Sequence, residues 1–228
     1  GGSMHIAAPH LGVPTTSALV AGNAPIAVGA AWALKQRGQG GIAVAFFGDG
    51  TLEEGAIFEA FRLAALWAVP LLFVCENNGW QRGTDPPGLG RFAEPFGIPG
   101  VRLDGDRPAP LFTSVASVVG TVRQRQGPHF LEVRTEPWPG QGDLKHAPTA
   151  TPLAEALRGE SDQLEVGGWR DPLLQYGTEL VRQGRASALD LLEVADAVSR
   201  EVSAAVARAQ AAATPDPSEA LVHVLVEG

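Results

Sequence analysis

At 228 residues, with 45% hydrophobic and 18% charged residues, the chain has ordinary globular composition and is long enough to bury a full core. A net charge of −8 argues against a nucleic-acid partner, because no row of cations is present to neutralise phosphates. One cysteine excludes an internal disulfide and fits a reducing, cytoplasmic setting, and the longest apolar stretch, Leu63 to Cys75, is too short for a membrane span and contains Pro70.

The opening Gly1-Gly2-Ser3-Met4-His5 carries no charged-then-apolar leader, so a secretory signal is not expected. It fits either a short cloning remnant before a native start or a start inside a larger protein. Residues 6–23 are rich in Ala, Gly, Pro and Thr and read as an irregular loop. Pro25 opens a predicted helix, Ile26 to Gln36, with Gly38 as its C-terminal stop. A glycine-rich turn then feeds a continuously apolar strand at 42–47. A helix over 54–67 follows, with Phe58, Phe61, Leu63, Ala65 and Leu66 on a wide apolar face. Pro70 separates it from a second apolar strand, 71–76. Two such runs suit parallel strands covered on both faces. Cys75, inside the second run, reads as a packing residue.

Segment 79–100 is rich in Gly and Pro and leaves room for one short helix near 91–96. A strand at 101–103, a helix at 110–126 and a strand at 129–135 come next. Residues 136–152, with four prolines, form a second long loop, and loops of this length commonly bind something or move. From Asp171 the tail reads as helical, with Pro172 in a first turn and a long alanine-rich helix over 187–213. The expected architecture is α/β: a parallel sheet covered by helices on both faces, with a helical C-terminal extension. Residues 1–150 form the α/β domain and 151–228 the extension of that same domain.

The chemistry concentrates at the two strand ends. The first apolar run stops at Gly48-Asp49-Gly50 and the second at Glu76-Asn77-Asn78. One helix and one strand separate Asp49 from Asn78, so the two lie in a βαβ unit with an oxygen ligand at each strand end. Two hard oxygen donors, beside a glycine that lets backbone N–H groups approach, suit Mg²⁺ carrying a diphosphate. Strand ends of an open α/β sheet are also where ligands bind. The plainer alternative is an Asp that caps the next helix and an Asn in a turn. Glu53 and Glu54 read as first-turn residues that suit the helix dipole. The histidines His5, His10, His129 and His146 show no metal-ligand spacing.

The run from Gly48 through Thr51-Leu52-Glu53-Glu54-Gly55-Ala56-Ile57-Phe58-Glu59-Ala60, then Ala64-Ala65-Leu66-Trp67, Pro70 and Cys75-Glu76-Asn77-Asn78-Gly79, closely resembles the α subunit of thiamine-diphosphate-dependent 2-oxoacid dehydrogenases. These are the decarboxylating components of the pyruvate, branched-chain 2-oxoacid and acetoin complexes. Gly1 to His5, Pro99 to Gly105 and Pro215 to Leu221 fit the same family, so the resemblance covers nearly the whole chain. It implies the thiamine-diphosphate-binding fold, Mg²⁺ and thiamine diphosphate as cofactors, and a 2-oxoacid substrate. Asp49, the Asn78 side chain and the Trp80 carbonyl would hold the metal. Gly48, Asp49, Gly50, Thr51 and Asn78 would contact the cofactor, with N–H groups around Gly50 and Thr51, at the start of helix 54–67, meeting the diphosphate. The segment Ser17-Ala18-Leu19-Val20 would contact the aminopyrimidine ring, through Ala18 and Val20. The resemblance also implies partners: a β-type subunit in an α2β2 assembly, without which this chain is inactive, and a lipoyl acyltransferase that receives the acyl group.

Three departures from the family accompany the match. Family α subunits extend further upstream, into a part with a Tyr-Arg pair that binds the diphosphate. Within 135–143, Pro137 replaces an arginine and Gln141 a histidine; glutamine hydrogen-bonds but does not transfer a proton near neutral pH. His146 is the candidate replacement for that histidine. The loop after Asn78 is shorter than usual. A non-catalytic binding or assembly subunit is therefore the competing reading.

Overall fold

The computed structural model describes residues 5–79, 88–125, 127–135, 165–166 and 169–218. Its centre is a four-stranded, all-parallel sheet in the order β1-β2-β4-β3. The strands are β1 (Ala43–Gly48), β2 (Leu71–Asn77), β3 (Gly100–Asp104) and β4 (His129–Arg134). Two helices lead to and between the first strands, α1 (Asn23–Arg37) and α2 (Gly55–Leu66), and α3 (Pro108–Arg125) joins β3 to β4. A short antiparallel pair, β5 (Glu165–Val166) with β6 (Trp169–Arg170), precedes α4 (Pro172–Arg182) and α5 (Ala188–Ala211).

Helices cover both faces of the sheet, because alternate strand residues point to opposite sides. On one side Ala45, Phe47, Phe73, Cys75 and Phe130 meet Val28 and Ala31 of α1 and Ile57, Ala60, Phe61 and Ala64 of α2. The α2 set is spaced 3, 1 and 3 residues apart, one stripe of a 3.6-residue helix. Phe61 is its anchor: it is fully buried and meets Phe73 edge-to-face at 4.9 Å. On the other side Leu72, Val74 and Leu131 pack against Val118 and Val122 of α3, with Val101, Leu103 and Val133 at the margin.

Several expectations shift in detail. Helix α1 starts at Asn23, two residues before Pro25; Pro fits there because a first-turn N–H has no intrahelical partner to lose. Segment 88–99 holds two short 3₁₀ helices, Leu89–Phe92 and Glu94–Phe96, separated by Ala93, with Pro95 in the first turn of the second. The β5–β6 pair was not foreseen. Cys75 is fully buried, as its apolar surroundings in the sequence imply.

One expectation fails. The sequence reading has both apolar strands covered on two faces. That holds for β2, whose first five residues are buried in succession. In β1, Val44 and Phe46 are 40% and 60% exposed. Strand β1 is an edge strand, and α3 lies over β2, β4 and β3. Its outer face has no covering element among the described residues.

Candidate functional site

The parallel register decides what can share a site. Gly48 of β1 pairs with Glu76 of β2, so both strands end at one level. Asp49 is the first residue beyond β1 and Asn78 the first beyond β2. Neighbouring strands lie about 4.8 Å apart; the register sets Asp49 level with Asn77 and Asn78 one residue further, so both leave the same end of the sheet from adjacent strands. Asp49 is buried and Asn78 half-buried. Asp49 is not the N-cap of α2: that helix begins after Glu54, which makes no side-chain cap hydrogen bond.

Residues Asp49–Glu53 form a separate 3₁₀ turn, entered from extended Gly48. Glu54 then adopts an extended conformation (φ −93°, ψ 136°), which breaks the turn from α2. Gly50 and Thr51 thus lie in this turn and not at the start of a helix over 54–67. Glu53 and Glu54 are likewise outside the first turn of α2, which contains no acidic residue. The turn is anchored inward by Leu52 and Thr51, 1% and 5% exposed. An added Cβ at Gly48 would meet nothing within 4 Å, so this glycine keeps open volume at the strand end beside Asp49.

Strand β2 ends in a tight, over-determined turn. The Gly79 N–H donates to Asn77 Oδ1 at 3.0 Å, an Asx-turn, and Gly79 takes a left-handed φ of 68°. The Thr135 N–H donates to the Asn77 carbonyl at 3.0 Å. The Asn77 side-chain N–H donates to Glu132 Oε1 at 2.8 Å. Glu132 itself is 1% exposed. Its Oε2 accepts the Leu89 N–H at 2.8 Å, and Arg102 Nε stands 3.4 Å from Oε1. Burial of a carboxylate is tolerated only with such donors. The sequence reading passed over Glu132. The signal was a charged residue inside Phe130-Leu131-Glu132-Val133, on the same side of the strand as buried Phe130.

Loop 17–22 reaches this same end of the sheet. The Asn23 side chain donates to the Phe46 carbonyl at 2.6 Å, which ties the N-terminus of α1 to the C-terminal half of β1. Within the loop the Leu19 N–H donates to Ser17 Oγ at 3.1 Å and the Gly22 N–H to the Leu19 carbonyl at 3.0 Å. A Cβ at Gly22 would meet Ser17 Oγ at 2.7 Å, so the turn requires glycine there. Ala21 has φ +64°, a conformation that an L-residue adopts at a cost. The loop thereby presents Ala18, Leu19 and Val20 outward; Leu19 and Val20 are 78% and 59% exposed.

Among the described residues, the candidate donors at this end of the sheet are the Asp49 carboxylate and the Asn78 amide. Among the described residues no cluster of three or more His, Cys, Asp or Glu forms a metal cage. Hard oxygens in so small a number suit Mg²⁺, which keeps waters and ligand phosphates in its shell. Open volume at Gly48 is compatible with a bulky anion beside Asp49. Trp80, Pro137, Gln141 and His146 lie outside the described residues. No helix among the described residues is long and apolar enough to cross a membrane.

The chain is 33% identical over 238 residues to the α subunit of acetoin:2,6-dichlorophenolindophenol oxidoreductase from Cupriavidus necator, covering 99% of this chain and 67% of that one. It is 32% identical over 235 residues to the pyruvate dehydrogenase E1 component α subunit of Porphyra purpurea, covering 96% and 65%. The chain thus spans about two thirds of the length of these relatives. A solved structure from Mycobacterium smegmatis, described as a proposed thiamin diphosphate-dependent enzyme, overlaps it in part, at 27% identity and a TM-score of 0.40, over 55% of this chain and 24% of that one. Residues 1–218 match the family described as the dehydrogenase E1 component, and the chain belongs to that family.

Proposed function

We propose that this chain is the α-type subunit of a thiamine-diphosphate-dependent 2-oxoacid dehydrogenase, in the cytoplasm, acting with a β-type subunit in an α2β2 assembly. The observation that carries the reading is the register of β1 and β2, which brings Asp49 and Asn78 out at one sheet edge. In this reading residues 1–150 carry the site and 151–228 are a helical extension of the same domain. Asp49 and the Asn78 side chain hold Mg²⁺, with the Trp80 carbonyl as a third donor. Backbone N–H groups of Gly50 and Thr51, beside Gly48, face the diphosphate. Exposed Ala18 and Val20 face the aminopyrimidine ring.

When bound, thiamine diphosphate supplies the nucleophilic carbon and the electron sink for 2-oxoacid decarboxylation. The residues of this chain bind and orient. Asp49 offsets the metal's charge from a buried position, and Asn78 adds a neutral oxygen. The 3₁₀ turn Asp49–Glu53, anchored by Leu52, positions Asp49, and the Asn77–Gly79 turn positions Asn78. In this reading a lipoyl acyltransferase is the acyl acceptor.

The competing reading, a binding or assembly subunit without cofactor, is motivated by Gln141 and Pro137 in place of the family's histidine and arginine. Calorimetry with Mg²⁺ and thiamine diphosphate, with and without the β-type partner, separates the two. Uptake that Asp49→Ala abolishes supports the dehydrogenase subunit. Stable association with the partner and no uptake supports the assembly role.

A further inference from the structure

We infer that Glu132 is a positioning residue: its buried carboxylate fixes which way round the Asn77 amide sits, and so holds the turn that carries Asn78. The inference rests on the proposed role of Asn78 at the metal.

An ionised carboxylate only accepts hydrogen bonds. Oε1 of Glu132 accepts from Asn77 and Oε2 from the Leu89 backbone N–H, both at 2.8 Å. The Asn77 amide must therefore turn its N–H side toward Glu132. Its oxygen is then left facing Gly79, where it accepts the backbone N–H at 3.0 Å. The chain of donors and acceptors runs one way only: Leu89 N–H and Asn77 N–H into Glu132, and Gly79 N–H into Asn77. Flipping the Asn77 amide sets donor against donor at Gly79 and acceptor against acceptor at Glu132. Asn78 lies between the two residues of the Asx-turn, so its direction is set by a carboxylate 54 positions further along the chain.

Buried position reinforces the assignment. Glu132 is 1% exposed and Asn77 5%, so water does not readily replace a mismatched partner. Arg102, on the neighbouring strand and opposite Glu132 in register, adds charge compensation at 3.4 Å. Gly88 stands over the other oxygen: an added Cβ there would come 3.1 Å from Oε2. The carboxylate is thus fixed from both ends before the site edge is reached.

A double-mutant cycle tests this. Glu132→Gln keeps the shape but brings an NH₂ group against either Leu89 N–H or Asn77. Asn77→Asp places a carboxylate against a carboxylate. The pair Glu132→Gln/Asn77→Asp reverses the middle link and restores the direction of these three hydrogen bonds, while moving the charge that Arg102 faces from residue 132 to residue 77: the new amide donates to residue 77, which still accepts from Gly79. Two readouts are taken on the full chain with its β-type partner: amide hydrogen exchange at Gly79, and the Kd for thiamine diphosphate with Mg²⁺ by calorimetry. Each single variant should speed Gly79 exchange and weaken uptake by about tenfold, and the double variant should recover both to within about threefold. A purely structural role predicts the same cycle in exchange with uptake unchanged throughout. Wild-type exchange in Glu132→Gln, additive losses in the double variant, or a cycle in exchange with unchanged uptake would each overturn the inference. Absent uptake in the wild-type protein would instead overturn the cofactor reading and, with it, the role at the metal.

Discussion

The Asn23 side-chain N–H meets the Phe46 carbonyl at 2.6 Å and closes the outer edge of β1 where the strand approaches Asp49. Ala43 donates inward to Pro70, so odd residues of β1 bond toward β2 and even residues face the free edge. Asn23 therefore takes a carbonyl that no strand among the described residues takes. Replacing it with Ala should lower stability by about 1 kcal/mol, read as a shifted urea midpoint. Asn23→Asp should cost more, because it sets an acceptor against an acceptor. Equal midpoints for wild type and Asn23→Ala would show the contact to be idle.

Adjacent Phe46 and Phe47 offer a sharper contrast. Phe47 is 7% exposed and touches the rings of Phe73 and Phe130 at 6.4 and 6.2 Å, whereas Phe46 is 60% exposed. For the isolated chain, Phe47→Ala should cost about 3–5 kcal/mol and Phe46→Ala less than about 1 kcal/mol. Denaturant titration of the two variants reads the difference. Similar losses in both would mean that the outer face of β1 is covered.

Gly105 follows β3 and donates its N–H to the Arg134 carbonyl at 2.7 Å. A Cβ there would stand 2.5 Å from that same oxygen and 3.1 Å from Val133 Cγ1. Neither neighbour is a flexible side-chain end, so Gly105→Ala should destabilise by about 1–3 kcal/mol. Gly120→Ala, in α3 with nothing within 4 Å of the added carbon, is the matched control and should be stabilising by up to about 1 kcal/mol. Thermal melts of the pair test the assignment.

Helix α5 is entered through a capping box in which Ser187 Oγ accepts the Asp190 N–H and Asp190 Oδ2 accepts the Ser187 N–H. The backbone bond from Ser187, then its side-chain bond, hold the Asp190 carboxyl below its ordinary value of 3.8. A folded value below the unfolded one means that the stabilisation is present above about pH 4 and is lost as the pH falls through the lowered folded value. Circular dichroism should therefore show helix loss in acid that is shallower in Asp190→Asn. Superimposable titrations would remove the capping box as a pH-sensitive contact.

Much of the fold was legible because two periods dominate it. The apolar runs 42–47 and 71–76 fall on strands β1 (Ala43–Gly48) and β2 (Leu71–Asn77), and the stripe around Phe61 is a helix face, as their spacing implies. The edge position of β1 was not legible, since an apolar run looks the same whether one or both faces are covered. The break at Glu54 was hidden for a related reason: Glu favours helices, and only the tertiary anchoring of Leu52 fixes the separate turn before α2. At the site, Asp49 and Asn78 were visible as strand ends. Glu132 was harder to see because its partners Asn77, Leu89 and Arg102 come together only once β2, β3 and β4 are side by side. Asn23 is similar: a polar residue at a helix start reads as a local cap, and its bond 23 residues away has no local signature.

The central claim is that Asp49 and Asn78 together hold a divalent cation that carries a diphosphate. Isothermal calorimetry of thiamine diphosphate with Mg²⁺, on the chain with its β-type partner, measures this directly. Wild type should bind, Asp49→Ala should lose detectable uptake, and Asn78→Ala should weaken it, with each variant retaining the wild-type melting profile without ligand. Undiminished uptake by Asp49→Ala would contradict the account.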